Sequence, residues 1–219
     1  SEKMLDVLKQ AEDEMYLNKL NMKCDGKILE VLRKCLADTG HFNHEDALRS
    51  VNLALDFTKY LAIGWETIRT VYRLLKLYPL GMLIIPADVM RMASSHIADK
   101  LADKYDYVGI EHRIAMMFED TAPVAHYVIQ IDEKWDGTGK PAGLKGEEIN
   151  IAVRITKITT TYMKYTSHEP FGYAMSKDQA KAKMMAESGK IFDPELLENF
   201  FEFLEGYEMR TSVEYGIEL

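Results

Sequence analysis

Four glycines and a proline fall within the twelve residues from Trp135 to Gly146, and no helix or strand interior can run through them. The stretch must be a long irregular loop, and the rest of the chain must supply a scaffold to hold it. A glycine–lysine pair first suggests a phosphate-binding loop. That chemistry needs Ser or Thr after the lysine, at the start of a helix that follows a buried strand. Here Pro141 follows Lys140, and the segment before the loop reads as helix. The phosphate-loop reading fails.

Around the loop, apolar residues recur at helical spacing. Met4, Leu8, Ala11 and Met15 share one helix face, and Lys27 to Leu36 reads as a second helix. After a polar break at residues 38–43, Leu48, Val51, Leu55 and Leu61 line a third. Ile68, Val71, Tyr72 and Leu75 line a fourth, ended by Pro79 and Gly81. Ile151, Ile155, Ile158, Tyr162 and Tyr165 predict a helix beyond the loop. Ser176 with Gln179 is a capping box opening a helix over residues 177–187, with Gly189 suited to its exit. Asp193 caps a last helix with Pro194 at its first position, and Leu197, Phe200, Phe201 and Leu204 form its stripe. No alternating strand pattern competes. The predicted class is all-α: a helical bundle with one glycine-rich loop and an N-terminal linker helix.

Composition narrows the function classes. The 219 residues carry a net charge of −8, which argues against nucleic acid and against an anionic membrane surface as partners. The longest apolar stretch, Leu77 to Pro86, holds two prolines and a glycine, and a span needs about 20 apolar residues. No charged-then-apolar leader opens the chain, and Cys24 and Cys35 make no disulfide framework, so the expected compartment is the cytoplasm.

The loop and its flanks resemble the signature of the HD-GYP family, His-His-Glu-x-Trp-Asp-Gly-x-Gly-Tyr-Pro-x-Gly-Leu-x-Gly-x-x-Ile. The shared residues are Glu133, Trp135, Asp136, Gly137, Gly139, Pro141, Gly143, Leu144, Gly146 and Ile149. Downstream, Arg154, Ile155, Thr166, Ser167, Pro170 and the run Phe192, Asp193, Pro194 also fall in register, and the resemblance covers about residues 41–205. It implies an HD-domain-like bundle over residues 41–210 and a tail at 211–219. Ahead of it, residues 1–40 form a linker whose Ala11, Glu12, Met15, Tyr16 and Lys19 are similar to the closing helix of a GGDEF domain.

The family hydrolyses cyclic di-GMP with metal ions that lower the pKa of a bound water and neutralise phosphoryl charge. Such ions need imidazole and carboxylate donors. The resemblance assigns the first ligand position to Asp46, the His-Asp pair to Tyr78 and Pro79, a further histidine to Tyr105, the paired histidines to Ile131 and Asp132, and a later aspartate to Thr160. None of these is histidine. Asp46 is also a good first-turn carboxylate for a helix, and Asp132 a good solvated one. The expectation is a degenerate member with no catalytic residues, no metal and no cofactor, its old pocket refilled as core. The alternatives are a cyclic di-GMP binder without turnover and a residual metal-dependent phosphodiesterase.

A receptor for a dianion should present cations. Met82 and Glu169 stand where the family pattern has Lys and Arg, whereas Lys140 replaces the Tyr of the loop motif and Arg154 lies near. Lys140 and Arg154 are thus the candidate anion-binding pair, although cyclic di-GMP binding is disfavoured. Glu133, Trp135 and Asp136 are expected to hold the loop together. Trp135, Asp136, Gly137, Gly139, Lys140 and Pro141 are the candidate interaction residues. The partner is expected to be a protein: a GGDEF domain, as the resemblance implies, or a second copy through the N-terminal helix.

Overall fold

The computed structural model describes residues 44–78, 80, 107–167 and 174–207. The N-terminal linker helix, the tail, both cysteines, Pro79, Met82, Tyr105 and Glu169 lie outside the described residues. Seven α-helices are described: α1 (His44–Tyr60), α2 (Trp65–Leu77), α3 (Tyr107–Met117), α4 (Ala125–Val128), α5 (Ile151–Thr166), α6 (Lys177–Met185) and α7 (Pro194–Glu205).

Helix α5 is the axis. It starts at Asn150, whose side-chain oxygen accepts from the Ala152 amide at 2.9 Å. Its buried residues run almost all the way round, from Ala152 and Val153 through Ile155, Ile158 and Tyr162. A helix with so little polar face must sit among other helices, and α5 packs against α1, α2, α6 and α7. Three threonines lie buried within it. Thr156, Thr159 and Thr160 each donate their hydroxyl to the carbonyl four residues back, which lets polar side chains enter the core at little cost. At the lower end, Phe200 of α7 meets Phe57 of α1 at 5.1 Å and Tyr162 of α5 at 5.4 Å, both edge-on.

The local signals act as the sequence implies. Ser176 Oγ accepts from the Gln179 amide, and Gln179 Oε1 accepts from the Ser176 amide, closing the capping box of α6. Asp193 Oδ1 accepts from the Leu196 amide at the start of α7. Helix α6 ends at Met185 rather than 187, and Gly189, with φ of +74°, turns the chain back towards Phe192. Ile68, Val71, Tyr72 and Leu75 are buried on α2 as predicted. Arg73 on the same helix forms a buried ion pair with Asp120 at 2.6 Å, tying α2 to the chain beyond α3.

Helix α3 has no counterpart in the sequence analysis. Its burial runs against residue type, because Glu111 is buried while Met116 and Met117 are 59% and 74% exposed. Periodicity cannot find such a helix. Among the described residues no strand occurs; two isolated bridges, Asp136 with Lys145 and Ser188 with Phe192, are the only ladder-like contacts. The all-α expectation holds.

Candidate functional site

The glycine stretch folds back on its own leading residues. Glu133, 1% exposed, is the post it closes on. One carboxylate oxygen accepts from the amides of Ala142 at 2.7 Å and Gly143 at 3.1 Å, and the other accepts from Leu144 at 3.0 Å. Gly143 offers its amide at φ of +68°, in the left-handed region where a side chain is strained. Gly139 is required by proximity: a Cβ there would lie 2.2 Å from the Lys134 amide nitrogen and 2.4 Å from the Glu133 Cα. Asp136 makes a local turn, accepting from the amide and hydroxyl of Thr138 at 2.9 and 2.7 Å. Those bonds hold its carboxyl below the usual range. The Trp135 and Asp136 amides donate to the carbonyls of Ile191 and Lys190, so the loop is stitched to the turn before α7.

Two cations one helical turn apart on α5 grip the ends of this loop. Arg154 donates Nε to the Ile149 carbonyl at 3.0 Å, pairs with Asp193 at 2.6 Å, and lies 5.5 Å from the Trp135 ring centre. Lys157 donates Nζ to the carbonyls of Ile131, at 3.1 Å, and of Glu133. Burial pushes the Lys157 ammonium down from 10.5 to about 8, outweighing the attraction of Asp132 and Glu133, and Lys134 adds to the fall. Between loop and helix lies a cavity of about 10 Å³, lined by Glu133, Trp135, Arg154, Lys157 and Asp193 among others. That is room for roughly one water molecule.

The Lys157 shift has a definite sign in stability. The unfolded chain binds this proton up to about pH 10.5 and the folded chain only to about 8. Unfolding is therefore favoured by proton uptake in that window, and stability rises with pH across it. The cost of burying the charge, up to about 3 kcal/mol, is fully present below pH 8 and is relieved above it. Denaturant titrations at pH 7 and 9.5 should show wild type gaining stability relative to Lys157→Met over this interval. A flat difference between the two proteins would contradict the assignment.

Few of the described positions that the family pattern assigns to metal ligands carry a metal donor. Asp46 lies in the first turn of α1, 3.5 Å from the Arg49 guanidinium. Tyr78 caps the end of α2 and is 38% exposed. Ile131 is part-buried against the core, and its carbonyl is taken by Lys157. Asp132 is exposed, its carbonyl accepting from the Lys140 amide at 3.3 Å. Thr160 is buried with its hydroxyl donated to Thr156. Pro79 and Tyr105 lie outside the described residues. Among the described residues, no three His, Cys, Asp or Glu side chains gather closely enough to hold a metal. This donor set does not fit a two-metal centre. Of these positions Thr160 is buried and Ile131 part-buried, whereas Tyr78, at the end of α2, stands at the surface.

The two anion-binding candidates differ in surroundings. Lys140 is exposed at the loop tip. Arg154 is committed to Asp193, to a backbone carbonyl and to an indole face, so it is no free cation. The amides of residues 142–144 are already filled by Glu133. Lys157 is a structural cation that helical spacing alone does not single out, although a lysine on a helix whose neighbouring positions are nearly all apolar or threonine must reach a polar partner.

A family model described as HD domain matches residues 30–196. The chain belongs to the HD domain family. Among curated relatives, this HD domain is 43% identical over 68 residues to a cyclic di-GMP phosphodiesterase of Vibrio cholerae, a match covering 31% of this chain and 14% of that protein. It is 26% identical over 136 residues to the cyclic di-GMP phosphodiesterase response regulator RpfG of Xanthomonas campestris, covering 61% of this chain and 36% of the relative. The chain therefore spans about a third or less of these relatives' lengths. A solved structure of a cyclic GMP-AMP-specific phosphodiesterase of Vibrio cholerae superposes with a TM-score of 0.53 at 19% identity, over 76% of this chain and 45% of that one, and shows the shared fold. The resemblance to HD-GYP proteins is borne out, and the relatives belong to cyclic-dinucleotide signalling. Among the described residues, no helix is long and apolar enough to cross a membrane.

Proposed function

We propose that this HD domain is a catalytically inactive regulatory module of cyclic-dinucleotide signalling, acting through protein contacts made by its glycine loop. The observation that carries the reading is the state of the ligand positions: Tyr78, Ile131 and Thr160 offer no imidazole or carboxylate, which leaves, among the described positions, only the carboxylates of Asp46 and Asp132. Hydrolysis by this family needs metal to generate the nucleophile. A hydroxyl bonded to its own helix and an aliphatic side chain do not bind it. The scaffold meanwhile retains its folded loop, with an exposed lysine at the tip, and function on such a scaffold resides in its surfaces.

The domain plan over residues 1–40, 41–210 and 211–219 belongs to the same proposal, with the N-terminal segment as a GGDEF-like linker able to pair with a second copy. A GGDEF domain is the partner class that the resemblance implies. Receptor activity towards cyclic di-GMP is disfavoured, because Arg154 is committed and Glu133 fills the loop amides. The deciding measurement is turnover of cyclic di-GMP and 3′3′-cGAMP with manganese or iron added, alongside the metal content of the purified chain. No product and substoichiometric metal are expected. Sustained, metal-dependent release of linear dinucleotide would establish an enzyme instead.

A further inference from the structure

We propose that Lys157 is a positioning residue for the glycine loop: its ammonium, reaching from helix α5, clamps the limb entering the loop and so sets how Lys140 is presented at the tip. The proposal takes its biological meaning from the reading of the loop as a docking surface. The clamp itself stands on geometry.

The turn before the loop is built from bonds of Gln130 to Tyr127, Ile131 to Val128 and Glu133 to Gln130. The carbonyls of Ile131 and Glu133 take no part in that set, and both meet the Lys157 ammonium. Between them, the Asp132 carbonyl accepts from the Lys140 amide. The tip residue is thus bonded to the middle of the segment whose two flanking carbonyls Lys157 holds. Arg154, one turn earlier, holds the Ile149 carbonyl at the loop's other end. Helix α5 therefore grips both limbs, while Glu133 closes the loop from within.

Lysine suits the entering limb because a single ammonium carries three donors on a long stem and can serve two carbonyls. An apolar side chain of similar length would fill the volume and leave both carbonyls without that partner. Because burying the charge is itself unfavourable, the apolar replacement is not expected to weaken the fold as a whole. This separates a positioning role from a merely structural one.

Hydrogen exchange of the whole chain, read by mass spectrometry, tests the clamp without any partner. In Lys157→Met, amides of residues 131–140 should exchange on the order of tenfold to a hundredfold faster, as loss of charge-assisted bonds predicts. Exchange in α5 and α7 should stay at wild-type rates, and Lys157→Arg should recover at least part of the loop protection. Unchanged loop exchange in Lys157→Met, or acceleration spread evenly over all helices, would overturn the proposal. Loosening of the loop together with binding of an added GGDEF domain that is indifferent to Lys140→Glu would uphold the clamp and remove the docking reading.

Discussion

Glu133→Ala is expected to lower the unfolding free energy by about 3–4 kcal/mol, because three amides lose a charged acceptor at once. The carboxylate reaches residues 142, 143 and 144, nine to eleven positions ahead, and no other side chain bonds those amides among the described residues. Two of the three residues are exposed, so water can take over part of the bonding once the loop opens, which keeps the loss below the sum of three isolated bonds. Glu133→Gln should cost less, about 1–2 kcal/mol, since its one carbonyl oxygen can still serve Ala142 and Gly143 while its NH₂ faces the Leu144 donor. Equilibrium urea unfolding of the three proteins gives the ordering directly. Equal stability of wild type and Glu133→Ala would mean that the loop is held elsewhere.

Gly139→Ala should be about as damaging, for a steric reason. The added Cβ meets backbone atoms of Lys134 and Glu133 at 2.2–2.5 Å, and no flexible side-chain end can move aside. The least expensive escape is to open the loop, which forfeits the Glu133 bonds and the bond from Lys140 to Asp132. The cost is therefore capped near the value of loop closure, about 3–4 kcal/mol. A double-mutant cycle tests the shared cause. With Glu133→Ala already present, Gly139→Ala should add less than about 1 kcal/mol, since residues acting on one element do not add. Full additivity would show that the two changes damage separate parts of the molecule.

Much of the scaffold was legible in residue order. Ser176 and Asp193 begin helices through bonds to amides three residues away, so short-range chemistry announces them. Glu133, Trp135 and Asp136 hold the loop as their place in the motif implies. Helix α3 was not legible, since Glu111 enters the interior and Met116 and Met117 leave it. Arg154 illustrates a different failure. Its charge and its nearness in sequence to the loop suggested an anion site, but Asp193, 39 residues on, had already claimed it.

Residue order by itself determined where α1, α2, α5, α6 and α7 lie, where the chain must be irregular, and which side chains occupy the family's ligand positions. These depend on backbone preference and chemical identity, which are local properties. Only the tertiary structure decided which partner each long polar side chain meets. Lys157 serves carbonyls 24 and 26 residues before it, and Arg73 pairs with an aspartate 47 residues away. Such bonds fall off within an ångström or so of misplacement, and that placement is set by how helices pack, not by the spacing of residues along any one of them.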